Sequence, residues 1–286
     1  MKMKERCPDC LRMQINKIIG RAERLFPEKV DELKQTLDNV CINNWDVTPS
    51  EVSMQFYQHY YAVTGDTDPF SEEKRRSTEL ALQLLPELRK LVKDSSDPFR
   101  TAVLMAAGGN IIDYGVKPNL DLETAKKFIL NVLDEQIVDD ENIADLKERF
   151  FRAKHVFYML DNCGEAVIDR LVMEQCPCRL TVGVRGLPIL NDVTRAELKM
   201  SGIPDHDVVD CGLPIPGVLM DRAPEAFQKN IFAADLVISK GQGNYETMDE
   251  DALPMYFMLR TKCPVVSEKL GTPLDSLRIV PGGTLI

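Results

Sequence analysis

The sequence predicts an α/β protein in which a helical segment, residues 1–150, precedes a second segment, residues 151–286, built on a mostly parallel β-sheet. Apolar residues recur at helical spacing through the first segment, as in the run from Leu80 to Leu91. In the second segment, short runs rich in β-formers alternate with helical runs, which is typical of a parallel sheet covered by helices on both faces. A chain of 286 residues is long enough for two domains.

The helical segment contains several recognisable helix starts. Proline is favoured in the first turn of a helix, where its missing N–H is not needed. The prolines at expected helix starts are Pro49, Pro69, Pro98 and Pro118. Asp121 is the expected N-cap of a helix whose apolar residues run from Leu122 to Leu133.

Five short runs in the second segment are expected to be strands. They are residues 154–160, 179–184, 207–210, 235–239 and 264–267, with helices expected over 165–174, 195–201 and 224–233. Ligands of parallel α/β sheets bind beyond the carboxyl ends of the strands. We therefore look for functional residues where these strands end.

The charge balance excludes several classes of partner. The chain has 35 basic and 45 acidic residues, for a net charge of −10, and its longest basic run is Lys74–Arg76. This pattern does not suit a nucleic-acid binder, which needs a clustered positive face.

No apolar stretch approaches the roughly 20 residues of a membrane-spanning helix, and the first residues do not resemble a secretory signal. We expect a cytoplasmic protein, and the oligomeric state is left open.

Eight cysteines in a cytoplasmic chain suggest free thiols or a metal site. Cys7 and Cys10 form a C-P-D-C pair, and a structural zinc site would need two further ligands, for which Cys176 and Cys178 are candidates. Alternatively, the segment around Asp9 starts a helix and the thiols pack near its end.

Oxygen-bearing side chains follow the first two expected strands. Asp161 and Asn162 directly follow the first strand, and Asp192 follows a short apolar run after the second. Hard cations such as Mg²⁺ and Mn²⁺ take carboxylate and carboxamide oxygens as ligands. Each of these residues is also a good helix N-cap, which is the alternative. Arg185 lies in the same region and is expected either to bind an anion or to form a surface ion pair.

Two glycine-containing segments add candidates for anion binding. Lys240, Gly241 and Gly243 follow a strand, so that backbone amides and a lysine can converge on an anion, although a tight turn explains the same pattern. In the first segment, two glycines precede Asn110 and Asp113, which lie three apart on one predicted helical face. Because glycine weakens a helix, the glycine pair indicates a close approach to another element; a loop between two helices is the alternative.

Taken together, these motifs resemble the metal-dependent damage-control phosphatases, formerly the domain of unknown function 89 family. The motifs are CPDC, GGNIIDYGV, DNCGE, VRGLPILNDVT and SKGQGNYET, and they cover nearly the whole chain. The prokaryotic subfamily with the N-terminal cysteine pair is the most similar. The resemblance implies an N-terminal helical domain and a C-terminal three-layer α/β/α domain with a Rossmann-like sheet. It also implies a divalent metal (Mg²⁺, Mn²⁺, Co²⁺ or Ni²⁺) and hydrolysis of phosphate monoesters of small, damaged or surplus metabolites.

The same resemblance implies roles for individual residues. The implied metal ligands are Asp161, Asn162 and Asp192. The general base is left unassigned between Asp113 and Asp161, and Asn162 is counted with these two among the catalytic residues. Substrate phosphate is expected to contact Asn110, Arg185, Lys240, Gly241, Gly243, Asn244 and Glu246. In eukaryotic relatives an Asp and an Arg stand where this chain has Gln242 and Glu246, so their sugar-phosphate preference need not carry over.

Two other functions fit parts of the pattern. An S-adenosylmethionine-dependent carboxyl methyltransferase would use the α/β segment to hold its cofactor, but the turn after the first strand has only Gly164. A non-catalytic metal or metabolite sensor would use Cys7 and Cys10 as its zinc or redox group.

Overall fold

A six-stranded sheet forms the centre of the molecule. The computed structural model describes residues 1–42, 45–109, 121–135, 139–283 and 285. The strands are β1 (His155–Met159), β2 (Arg179–Val184), β3 (Val208–Asp210), β4 (Leu236–Lys240), β5 (Pro254–Arg260) and β6 (Leu277–Gly283). Their order is β3-β2-β1-β4-β5-β6, with β1 to β5 parallel and β6 antiparallel to β5. This arrangement confirms the predicted α/β class and the mostly parallel sheet.

The strand order reverses direction between β1 and β4. Successive strands β1, β2 and β3 extend the sheet to one side, and β4, β5 and β6 extend it to the other. A crevice opens beyond the carboxyl ends of the strands at such a switch point, and this is where ligands bind in doubly wound folds. Residues that follow β1 and β4 are therefore brought to the same place.

Helices cover both faces of the sheet. They are α1 (Cys7–Leu25), α2 (Val30–Ile42), α3 (Pro49–Thr64), α4 (Ser71–Asp94), α5 (Pro98–Gly108), α6 (Leu122–Asn131), α7 (Asp140–Arg152), α8 (Cys163–Met173), α9 (Leu198–Ser201), α10 (Glu225–Phe232), α11 (Gln242–Met248) and α12 (Pro264–Lys269). Side chains of β1 alternate between the two faces, as strand geometry requires. Tyr158 packs into a core shared with α4, α5 and α8, whereas Phe157 packs into a core shared with α10 and α11.

The helical segment is not separate from the sheet. Helices α4 to α7 contribute to the same apolar core as α8 and the strands, whereas α1, α2 and α3 enclose a core of their own that includes Ile189 from the second segment. The change from helix to strand falls between Arg152 and His155, close to the predicted boundary at residue 150. The division into two domains stays a prediction, because packing crosses this boundary.

Most of the predicted elements are present, and one is wrong. Residues 264–267, expected to be a strand, begin α12, because Pro264 occupies the first helical turn. The fifth and sixth strands lie instead at Pro254–Arg260 and Leu277–Gly283. The expected N-cap is correct, since the Asp121 side chain accepts a hydrogen bond from the Thr124 amide at 2.8 Å. Within the described part of the chain, every helix is too short or too polar to span a bilayer.

Candidate active site

Adjacent strands bring the predicted site residues together. Asp161 follows β1, Arg185 follows β2 and Lys240 ends β4, and these strands are neighbours in the order β2-β1-β4. All three strands run in the same direction, so their carboxyl ends lie at one edge of the sheet. The predicted candidates thus gather around the switch point.

Asp192 reaches this edge because the segment after β2 folds back against the end of β1. The Val193 amide donates to the carbonyl of Asp161 at 2.8 Å, and the Cys163 amide donates to the carbonyl of Asn191 at 3.0 Å. Asn162 and Asp192 form an isolated antiparallel β-bridge. This backbone pairing places the three predicted metal ligands next to one another.

Arg185 connects the two candidate carboxylates. Its Nη2 donates to Oδ1 of Asp161 at 3.0 Å, and its Nε donates to Oδ2 of Asp192 at 2.6 Å. Its Nη1 donates to the Gly217 carbonyl and to Oδ1 of Asn244. Burial opposes the charge of this guanidinium, but Asp192 and Asp161 outweigh burial and raise the pKa of Arg185. Arg185 therefore stays charged and fixes the spacing of the two carboxylates.

Asp161 is the most accessible carboxylate of this group. Its side chain is 13% exposed, whereas that of Asp192 is 4% exposed. Burial and the charges of Asp192 and Glu165 raise the pKa of Asp161 well above its ordinary value, against the influence of Arg185. The amide nitrogen of Asn162 donates to Asp161 Oδ2 and to Glu165 Oε2, each at 3.1 Å.

Lys240 lies in a second buried cluster directly behind the first. Its Nζ donates to Glu165 Oε1 and Asp169 Oδ1, each at 2.6 Å, and to the Ala106 carbonyl at 2.9 Å. The Tyr158 hydroxyl also donates to Asp169. Burial raises the pKa of Asp169 to about 7, with Lys240 lowering it and Glu165 raising it. The Asn162 amide links this cluster to Asp161.

Several predicted phosphate contacts are engaged by the protein itself. The three hydrogen bonds of Lys240 all go to protein acceptors, so contact with phosphate would require them to rearrange. Asn244 is fully buried and donates to the Lys240 carbonyl at 2.7 Å. The Gly241 amide donates to the Met258 carbonyl at 3.0 Å, so it does not point at an anion as predicted.

The two glycines after β4 are required for close packing. Gly241 has φ 83°, and a Cβ there would lie 2.0 Å from Oδ2 of Asp161. At Gly243 a Cβ would lie 2.2 Å from the Pro216 carbonyl oxygen. Only glycine lets this turn pass so close to the Asp161 carboxylate.

Glu246 lies outside the carboxylate network. Its Oε1 accepts a hydrogen bond from Gln242 at 2.7 Å, and Gln242 in turn accepts from the amides of Lys262 and Cys263. Burial raises the pKa of Glu246 to about 7, although the hydrogen bond from Gln242 lowers it. A phosphate contact by Glu246 stays a prediction.

Asn110 and Asp113 lie outside the described residues, but the glycines before them do not. A Cβ at Gly109 would lie 3.3 Å from Cβ of Ile168 on α8, and one at Gly108 would lie 2.6 Å from the Val132 side chain. The predicted close approach is therefore present, and it brings the end of α5 beside α8.

The N-terminal cysteine pair starts α1, as the helix interpretation predicts, but only one of the two thiols packs against the protein. Cys7 is buried and Cys10 is exposed, and Pro8 occupies the first turn. Among the residues that the structure describes, no three His, Cys, Asp or Glu side chains are placed to hold a metal ion together. A four-cysteine zinc site is thus not formed. Of the three predicted metal ligands, Asp161 and Asp192 are of these types and Asn162 is an amide.

Glu165 and Asp169 were missed by the sequence analysis, although a signal was present. They lie four residues apart on α8, so both face the end of β4, where Lys240 lies. Glu165 even belongs to the DNCGE motif, in which only the first two residues were given a role.

Comparison with known proteins identifies the family. The sequence profile of the damage-control phosphatase ARMT1-like domain matches residues 3–277. The chain belongs to the damage-control phosphatase family. A damage-control phosphatase of Archaeoglobus fulgidus is 32% identical over 291 residues, covering 97% of this chain and 98% of the relative. Another, from Pyrococcus horikoshii, is 29% identical and covers 97% of both chains.

A solved structure supports the same assignment. The crystal structure of a domain of unknown function 89 family protein from Pyrococcus horikoshii is 26% identical in sequence, with a TM-score of 0.88 over 99% of both chains. These findings confirm the predicted resemblance, fold class and, at the level of the damage-control phosphatase family, phosphatase function.

Proposed function

We propose that this protein is a divalent-metal-dependent phosphatase that hydrolyses phosphate monoesters of small metabolites. The names of its relatives favour phosphate hydrolysis over methyl transfer or a purely sensory role. The observation that carries the metal dependence is an excess of buried acidic over basic side chains at the switch point. The side chains concerned form one network of ion pairs and hydrogen bonds.

The network contains more acids than bases. The acidic members are Asp161, Glu165, Asp169 and Asp192, and the basic members are Arg185 and Lys240. Four carboxylates against two cations give a formal charge of −2 when all four acids are ionised. Burying unbalanced charge is costly, and the raised pKa values of Asp161 and Asp169 reflect that cost. A bound divalent cation would balance the charge and let these carboxylates stay ionised. The donor set also fits, because carboxylate and carboxamide oxygens suit Mg²⁺ and Mn²⁺.

Asp161, Asn162 and Asp192 would hold this ion. They lie on the open side of the network, whereas Glu165 is 1% exposed and already bonds to Lys240. When bound, a divalent cation withdraws charge from a phosphoryl oxygen and makes a nearby water more acidic. Co²⁺ and Ni²⁺ are the further candidates implied by the family.

The protein's own residues contribute positioning. Arg185 holds Asp161 and Asp192 in one orientation, so the two carboxylates need not reorganise when substrate binds. Gly241 leaves room for the Asp161 carboxylate over the turn. Lys240 compensates Glu165 and Asp169 and thereby fixes the helix on which Asn162 is the N-cap residue. We assign Lys240 to this supporting role rather than to phosphate.

Release of inorganic phosphate from p-nitrophenyl phosphate tests the proposal. We expect activity to disappear after treatment with a chelator and to return with Mg²⁺, Mn²⁺, Co²⁺ or Ni²⁺. Asp161→Asn should lower kcat/KM by about 10²-fold or more, since it removes a charge at the reacting centre. Asp94→Asn is the matched control, because Asp94 is exposed and pairs with Lys90 on the surface of α4. Full activity in chelator, or in Asp161→Asn, would rule the proposal out.

A further inference from the structure

A cavity of about 310 Å³ lies beside the predicted metal ligands. Helix α1 contributes Lys17, Arg21 and Arg24 to its wall, and α3 contributes Tyr57 and Tyr60. The remaining wall includes Leu190 and Asn191, which directly precede Asp192 in the chain. The volume lies in the range of small-molecule sites.

The wall next to Asp192 is held in a strained conformation. Leu190 has φ 48°, which is unfavourable for a residue with a branched side chain. The next residue, Asn191, accepts a hydrogen bond from the Cys163 amide at the start of α8. The cavity wall and Asp192 are thus parts of one fixed segment, so a molecule in the cavity would lie against the candidate site.

Helix α1 forms the cationic side of the cavity. Lys17, Arg21 and Arg24 share one face of α1, because they are spaced by four and three residues. The Arg21 Nε is buried and has no hydrogen-bond partner in the described part of the chain. Its nearest carboxylates, Asp66 and Glu73, each lie 3.8 Å from a guanidinium nitrogen, beyond hydrogen-bond distance.

This cationic face is unusual in a chain with a net charge of −10. Among the described residues that line the cavity, these three cations face one acid, Glu73. The aromatic rings of Tyr57, Tyr60 and Phe70 also line the cavity, and the Arg21 guanidinium lies over the Phe70 ring, 6.0 Å from its centroid. Such a cavity suits a molecule with an anionic end and a less polar body.

We propose that this cavity binds the leaving group of the substrate and selects phosphate monoesters whose leaving group carries a carboxylate bound by Arg21. This inference rests on the proposed phosphatase function. It extends that function by naming a substrate class and a residue that recognises it.

Matched substrate pairs test the selectivity. The first pair is 3-phosphoglycerate and glycerol 3-phosphate, and the second is 6-phosphogluconate and glucose 6-phosphate. Within each pair one member carries a carboxylate that the other lacks. A charge-assisted hydrogen bond stabilises a complex enough to change affinity by about 10- to 100-fold. We therefore expect the wild-type protein to favour the carboxylate member of at least one pair by about 10-fold or more in kcat/KM.

Substitutions on α1 identify the residue responsible. Arg21→Gln should remove most of the preference, and Arg21→Lys should keep part of it, since the charge remains. Arg12→Gln is the matched control, because Arg12 is exposed on the same helix and pairs with Asp9. Urea unfolding of each variant shows whether the fold is intact.

The outcomes separate this inference from the proposed function. If p-nitrophenyl phosphate is hydrolysed but the wild-type protein prefers neither carboxylate substrate, or Arg21→Gln and Arg21→Lys both keep the full preference, the inference is wrong and the phosphatase stands. If p-nitrophenyl phosphate and all four substrates are left intact in the presence of metal, both fail.

Discussion

Replacing Gly241 with alanine tests whether the position of Asp161 matters for activity. An added Cβ would lie 2.0 Å from Oδ2 of Asp161, and real Cβ atoms essentially never approach other atoms closer than 3.0 Å. Asp161 or the turn must therefore move by about 1 Å. Because the turn is fixed by the Gly241 amide bonded to Met258, most of the movement should fall on the carboxylate.

The expected effect on activity is large and the effect on stability is moderate. A displacement of about 1 Å at a reacting group costs about 10²-fold in rate, and we expect that loss in kcat/KM. The backbone conformation at Gly241, φ 83° and ψ 160°, is almost exclusive to glycine, so alanine should also cost about 1–3 kcal/mol of unfolding free energy.

Gly65→Ala separates these two effects. Gly65 ends α3 with φ 74°, and a Cβ there would meet nothing within 4 Å. This control should lose about 1 kcal/mol of stability from its backbone conformation and keep wild-type activity. Phosphate release and urea unfolding are measured on both variants. If folded Gly241→Ala hydrolyses p-nitrophenyl phosphate within threefold of wild type, the precise position of Asp161 is not needed, and our account of this turn is wrong.

Two further predictions concern buried acids that are not predicted metal ligands. Burial raises the pKa of Glu246 from 4.5 to about 7, so the folded state binds a proton more tightly than the unfolded state; its stabilising contribution is present below pH 4.5 and is lost as pH rises through 7. The unfolding free energy of the wild type should therefore fall by up to about 3 kcal/mol as pH rises over this range. Urea unfolding at several pH values gives the unfolding free energy at each pH, and this free energy should change less with pH in Glu246→Gln. An equal change with pH in both proteins would contradict this. Lys240→Met should destabilise the fold by about 3–5 kcal/mol, because Glu165 and Asp169 lose their buried cation. Adding Asp169→Asn should restore part of that loss, and a Lys240→Met variant as stable as wild type would show that the cluster is not ionic.

The helices and most strands could be predicted because local pattern and final structure agree. The periodic apolar residues of α4 face the core, and β2 occupies the predicted residues 179–184. The last part of the chain was harder to predict. β5 is buried along nearly its whole length and shows no alternation, and β6 contains Pro281 and two glycines, which disfavour strands in sequence reasoning. These strands form because they pair with each other, and the residue pattern of either strand alone does not indicate that pairing.

The candidate site shows the same division. That Asp161 and Asp192 meet follows from the rule that carboxyl ends of parallel strands share an edge, so their proximity was predictable. The partners of Lys240 were not, because they depend on how closely α5 and α8 approach β4. A lysine beside a glycine turn suggests phosphate binding; only the packing shows that two carboxylates and a helix carbonyl already surround its Nζ.

The buried network at the switch point and the cationic cavity beneath α1 together suggest how an acidic protein can act on an anion. At the switch point, Arg185 and Lys240 form ion pairs with buried carboxylates. They therefore position these carboxylates and cannot by themselves attract a dianionic phosphate. In our proposal, the remaining excess of acid is balanced by a divalent cation, which binds the phosphate. The cavity beneath α1 lies on the other side of Asn191. Its Arg21 guanidinium is 3.8 Å from the carboxylates of Asp66 and Glu73, and in our proposal it binds the second anion of the substrate. We therefore assign attraction of the phosphate to the predicted metal site and recognition of the leaving group to the Arg21 cavity. Each function can be removed by substitution without the other.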